Sequence, residues 1–320
     1  EFTARVVDPL VGGLFAGTAE GLSMAAVFPA LVDLERRHGS ITRALVRRRR
    51  AGATMPGRRL FSWRDGVGTL PRVLVERLGP ALKMGIAVRR IRRSAHGFRI
   101  EAGAAGAFDA RAVVLATQPH VAASLLEGID DAGADAAASI SAPPIAVVFL
   151  GYRRDQVAHP LDGVGYLTPR GEGRALSGAQ FSSTMFAGRA PAGHVALAGY
   201  IGGARAPDLA LEAPADLIQL TRAEFRELLG ASGEPLVARV RQWPRGLPQY
   251  APGHGARIDA LVSVGQRQPG LFMTGNYLNG VSVSACLTRS VKAAASVHEF
   301  LRGLARGNRS SIPVGSIAAR

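Results

Sequence analysis

Residues 275–287 read GNYLNGVSVSACL. Just before them lies the short apolar run GLFMTG, and after them comes a long segment whose apolar residues fall three and four apart. Strand, Gly275, loop, Gly280, helix is the grammar of a chain turning from the end of a strand onto a helix N-terminus. Such a corner offers unpaired backbone N–H groups and the positive end of the helix dipole to an electron-rich ligand atom. Gly275 permits the turn, and Gly280 permits close approach to a ring or a phosphate. The amides of Val281, Ser282 and Val283 are the ones so placed. The pattern is short, and any strand-to-helix turn favours glycine for purely structural reasons.

Working outward, the closing helix carries Leu287, Val291, Ala294, Val297, Leu301 and Leu304, which predicts one continuous buried stripe. Residues 305–320 read as a disordered tail. Upstream, Ser23 and Ser40 are candidate N-caps and Gly39 a helix stop. Arg47–Arg50 reads as a solvated helix end, where the dipole favours cations. Leu60–Trp63 reads as a strand, followed by a glycine turn and a helix over 69–78 closed by Gly79. KMGIAVRRIRR and HGFRIEAG predict a hairpin, and ARAVVLATQP a buried strand closed by Pro119. From Pro143 to Gly203 short strands alternate with Gly/Pro turns, then come a helix over 214–229, an alternating strand at 234–243 and a helix over 257–264. Layers of helix on sheet follow, not a bundle or a closed barrel.

The 320 residues are 47% hydrophobic and 20% charged, which is the composition of a folded chain with ample core. Net charge is +15, yet only Lys83 and Lys292 of the 39 basic residues are lysine. An anionic partner and a plain arginine bias explain that charge equally well. Aromatics make up 6% and are not interleaved with the arginines, which argues against nucleic acid. A single cysteine, Cys286, excludes an internal disulfide or a cysteine metal cluster and fits a reducing, cytoplasmic compartment. Glu1–Arg5 has no leader pattern, and no run is apolar enough for a spanning helix. No nucleophile–base pair stands out. His38, His96, His120 and His254 are expected to be satisfied or solvated, and no metal spacing is present.

From Val7 to Leu301 the chain resembles, segment by segment and in order, the C-terminal two-thirds of protoporphyrinogen oxidases, FAD enzymes of the amine-oxidase-like superfamily. The segments are DPLVGGLFAGTAEGLSMAAVFPALVDLERRHGS, LFSWRDGVGTLPRVLVERLG, AVRRI with ARAVVLATQP, WPRGLPQYAPGH and GNYLNGVSVSAC. The resemblance implies an α/β (α+β) fold: an incomplete FAD-binding domain, a mixed-sheet substrate domain and a helical, membrane-facing part. Its expected divisions are a helical region at 1–58, FAD-domain residues at 59–125, a β-rich substrate domain at 126–260, and a return to the FAD domain at 261–304 before the tail. The family's GxGxxG unit has no acceptable counterpart here, so a missing ADP-binding start, from a fragment or a truncated gene model, is expected.

By resemblance, Val88 is the hairpin valine whose backbone meets the adenine. Gly275, Asn276, Gly280, Val281, Ser282 and Val283 form the flavin-contacting turn. Val164 and Leu167, in GVGYLTP, pack on the tetrapyrrole, with Val164 standing where relatives often carry Phe. On spacing alone Val88 reads as strand core, and for Val164 and Leu167 an ordinary strand-core reading is comparable. The implied reaction oxidises protoporphyrinogen IX with O₂ as acceptor. A coproporphyrinogen oxidase, a flavin amine oxidase or carotenoid desaturase, and a basic binding module are the alternatives. A homodimer and peripheral membrane contact through Leu10–Val32 complete the expectation, as does weak flavin retention by this chain alone.

Overall fold

The computed structural model describes residues 1–50, 60–278 and 280–309. In chain order its elements are α1 (Asp8–Phe15), α2 (Met24–Val27), α3 (Pro29–His38), α4 (Ile41–Arg50), α5 (Thr69–Leu78), β1 (Arg90–Ser94), β2 (Gly97–Glu101), β3 (Ala107–Ala110), β4 (Val113–Leu115), α6 (Pro119–Leu126) and α7 (Asp131–Ala138). There follow β5 (Ile145–Arg153), β6 (Gly165–Leu167), β7 (Leu176–Phe181), α8 (Ser182–Met185), β8 (His194–Gly202), α9 (Pro214–Leu229), β9 (Val237–Trp243), α10 (His254–Val262), α11 (Val264–Arg267), β10 (Leu271–Met273) and α12 (Val283–Arg309). They fall into two compact units, one of residues 1–82 with 141–252 and one of 83–140 with 253–320. Among the described residues no helix is long and apolar enough to cross a membrane. The 58/59 division, and the expected tail from residue 310 onward, lie outside the described residues; residues 305–309 continue α12.

The first unit is built on an antiparallel sheet in the order β6-β7-β8-β5-β9. Strand β5 has strict alternation of burial, with Ala146, Val148, Leu150 and Tyr152 inward, as a strand covered on one face requires. Helix α9 covers that face: Pro214 opens it, Gly230 closes it in the left-handed conformation, and Leu217, Phe225 and Leu229 enter the core beside Leu197 and Ile201. Part of the WPRGLPQYAPGH motif supports α1: Gln249 Nε2 donates to the Phe15 carbonyl at 2.9 Å, and the Tyr250 carbonyl accepts from Ser23 N at 2.7 Å. The helix expected from Ser23 is divided at Pro29, whose ring cannot continue the preceding ladder. Residues 60–63 form no strand. The Arg189 guanidinium hydrogen-bonds Ser62 Oγ and the Trp63 and Arg64 carbonyls in place of a strand partner.

The second unit holds the meander β1-β2-β3 and the parallel pair β4–β10. Around them, α6, α7 and α10 enclose a core of Phe98, Leu126, Leu261, Leu271 and Tyr277. Asp130 caps α7 through Gly133 N at 2.8 Å, and both its oxygens pair with Arg267 at 2.7 and 2.9 Å. The predicted α12 stripe is rotated. Leu287, Val291 (71% exposed), Ala294 and Leu304 are exposed, while Ala285, Cys286, Ala293, Val297, Phe300 and Leu301 are half-buried. Phe300 meets Phe272 of β10 edge-on at 6.0 Å, and that contact sets the helix's rotation.

Candidate functional site

Strand β10 runs parallel to β4, so both deliver their C-terminal ends to the same place. In open α/β sheets that end is where ligands bind. Here the two strands finish in threonines, Thr117 two residues past β4 and Thr274 directly after β10, with Thr274 N donating to Leu115 O at 2.9 Å. Both hydroxyls are buried without a partner among the described residues, and Thr274 is 6% exposed. A buried hydroxyl left unpaired costs about 1–3 kcal/mol, and folded proteins rarely carry that cost without a reason.

The corner follows. A Cβ on Gly275 would lie 2.5 Å from the Tyr277 ring, which folds back over the Gly275 backbone and is fully buried. Gly280 has φ +91°, a conformation L side chains rarely adopt. Ser282 caps α12, its Oγ accepting from Ala285 N at 3.2 Å. Ser282's side chain is thereby committed to the helix. The N–H groups of Val281, Ser282 and Val283 have no partner among the described residues, and all three residues are partly or fully exposed. Open amides, a helix dipole and glycine-bared backbone make a cradle for an electron-rich planar edge. These residues fit the pyrimidine edge of a flavin.

His254, the first residue of α10, is buried at 3% exposure in the same unit as the corner. Burial lowers its pKa, with Arg257 pushing the same way, so the ring is neutral at pH 7. Burial pushes the Tyr277 phenol up to about 12 and also raises the Cys286 thiol, so both stay protonated. The sequence pattern does not single out Thr117 or Thr274. Both follow apolar runs, in LATQP and FMTG, and the threonine after the strand was the available signal.

Val88 belongs to the same unit, just ahead of β1. It is 39% exposed and is not strand core. Val164 and Leu167 belong to the other unit. They are 59% and 44% exposed, which removes the core reading for them as well. Leu167 lies over α1, where a Cβ on Gly13 would sit 2.5 Å from Leu167 Cδ2. A cleft of about 440 Å³ opens around this edge of the sheet, lined in part by His159, Tyr166, Thr168, Arg174 and Phe181. Behind it the Glu224 carboxyl is held above its usual range by burial, although it accepts from Leu176 N at 3.2 Å.

One unit holds a helix-covered antiparallel sheet and the other a parallel strand pair that ends in a glycine corner, features that suit a flavin oxidoreductase. Residues 1–298 match the model of the flavin containing amine oxidoreductases, and the chain belongs to that family. It is 30% identical to the chloroplastic protoporphyrinogen oxidase of Nicotiana tabacum, over 94% of this chain and 60% of that protein. It is 25% identical to the coproporphyrinogen III oxidase of Bacillus subtilis (strain 168), over 94% of this chain and 65% of that one. A solved Exiguobacterium sp. 255-15 chain, provisionally described as a protoporphyrinogen oxidase, shares the fold. Its TM-score is 0.78 at 22% identity, covering 94% of this chain and 63% of that one. The chain thus spans about 60% of the length of its tobacco relative. The family's cofactor is a flavin.

Proposed function

We propose that the chain serves an FAD-dependent oxidase that converts protoporphyrinogen IX to protoporphyrin IX with O₂ as acceptor. The observation that carries this reading is the likeness to plant protoporphyrinogen oxidases along 94% of the chain. When bound, FAD supplies the hydride acceptor, and the six electrons leave in pairs. The chain's own contribution is positional and electrostatic. Amides of Val281–Val283 and the α12 dipole favour negative charge on the ring edge. Gly275, Asn276 and Gly280 shape that seat, and Val88 meets the adenine. Val164 and Leu167 offer an apolar face to the macrocycle. No side chain is assigned as acid or base, which suits chemistry borne by the cofactor.

Coproporphyrinogen III is the second reading, favoured by the bacterial coproporphyrinogen III oxidases that align over most of the chain. The same reading includes a cytoplasmic homodimer touching a membrane peripherally. Exposed Leu10 and Leu14, one turn apart on α1, and Met24 support that contact. The test is porphyrin fluorescence from FAD-loaded protein given each porphyrinogen under air. Faster protoporphyrin formation supports the first reading, faster coproporphyrin formation the second, and neither product above the uncatalysed rate refutes both.

A further inference from the structure

Strand register fixes which side chains share the face of the five-stranded sheet opposite α9, because paired residues on neighbouring strands point the same way. Leu167 pairs with Gly178, Gly178 with Tyr200, Tyr200 with Val147, and Val147 with Arg241. These five therefore form one row across β6, β7, β8, β5 and β9. Phe149 and Arg239 end the row beside it. The first row is apolar or small up to its tyrosine and valine, and cationic only at its last member. Leu167 and Tyr200 are 44% and 37% exposed, and the Tyr200 hydroxyl donates to Gln180 Oε1 at 3.0 Å, which tethers that side chain to β7. Arg239 and Arg241 are exposed on β9 and make no ion pair among the described residues. The Arg241 guanidinium lies 5.8 Å from the Trp243 ring, and Arg239 donates to the Ala238 carbonyl at 2.9 Å.

Four strand spacings place Arg241 roughly 19 Å from Leu167, and one step of two residues places Arg239 about 7 Å from Arg241. The ligand that suits such a face is broad and apolar, with two carboxylates on one edge. Protoporphyrinogen IX has that form, since its two propionates stand on neighbouring pyrrole rings. We infer that Arg239 and Arg241 are specificity-determining residues that hold the two propionates, while Leu167 and Val164 meet the opposite edge of the macrocycle. Guanidinium groups hold carboxylates by charge-assisted hydrogen bonds, and two of them on one strand fix the ligand's orientation as well as its place. Coproporphyrinogen III carries four propionates, so in the same seat two of them would lie at the apolar end, where losing water is unfavourable. The assignment rests on the tetrapyrrole reading and chooses between its two substrates.

The experiment measures binding of protoporphyrin IX, its dimethyl ester and coproporphyrin III in dilute detergent, by quenching of tryptophan fluorescence. It compares wild type, Arg239→Gln, Arg241→Gln and the double variant. Wild type is expected to bind the diacid about tenfold more tightly than the ester, and each single variant to lose about fivefold for the diacid alone. The double variant should treat diacid and ester alike. Arg226→Gln, exposed on α9 across the sheet, removes the same charge and should change nothing. An undiminished preference for the diacid in the double variant overturns the inference. So does an equal loss in Arg226→Gln, or wild type that binds coproporphyrin III as tightly as protoporphyrin IX. Arginine on an edge strand also deters strand-to-strand association. If that were its whole duty, the substitutions would promote self-association and leave porphyrin affinity as it was, which again overturns the inference. Wild type that binds none of the three porphyrins overturns the tetrapyrrole reading itself.

Discussion

At the scale of single residues, the corner depends on what glycine lacks and serine supplies. Gly280→Val places a β-branched residue at φ +91° with its Cβ 3.0 Å from that of Ala285. A loss of about 1–3 kcal/mol is expected, read by chemical denaturation, together with weaker flavin binding. Ser282→Ala removes the α12 cap and should cost about 1 kcal/mol, visible as fraying of the first turn by amide exchange. The glycines were legible because they stand between an apolar run and a helical pattern, where a chain turning from strand to helix favours glycine. Thr117 and Thr274 were not, because a threonine after a strand is ordinary. Only the tertiary structure shows that both hydroxyls lack partners among the described residues.

At the scale of elements, local chemistry set boundaries and neighbours set faces. Helices α5 and α9 begin and end where Gly79, Pro214 and Gly230 dictate, and the sequence shows it. Helix α12 carries two interleaved apolar stripes. Which one turned inward depended on Ala285 and Ala293 allowing close approach and on Phe300 meeting Phe272, none of which periodicity contains. The Asp130 cap joins α7 to α11 through Arg267. Asp130→Ala removes cap and ion pair together, and about 2–3 kcal/mol of stability should go with them in a denaturant melt. Between α9 and β7, burial raises the Glu224 pKa from its ordinary 4.5. As pH rises above that value the unfolded state ionises first, so the fold loses stability. Glu224→Gln should match wild type at pH 4 and gain on it steadily toward pH 7; parallel pH–stability curves would show that Glu224 does not titrate in this window.

At the scale of the whole molecule, the proposed seat takes a ring edge, and among the described residues no glycine-rich βαβ turn offers a place for a pyrophosphate. The chain should therefore bind FAD no more tightly than FMN, compared by quenching of flavin fluorescence. A large preference for FAD would mean that other residues hold the ADP half. The family was legible from five ordered segments, and each compact unit draws on two distant stretches of chain. Titration of FAD into ¹⁵N-labelled protein, followed by amide NMR, tests the central claim most directly. The account predicts saturable shifts concentrated on the amides of Val281, Ser282 and Val283. Shifts elsewhere with those three unmoved would contradict it.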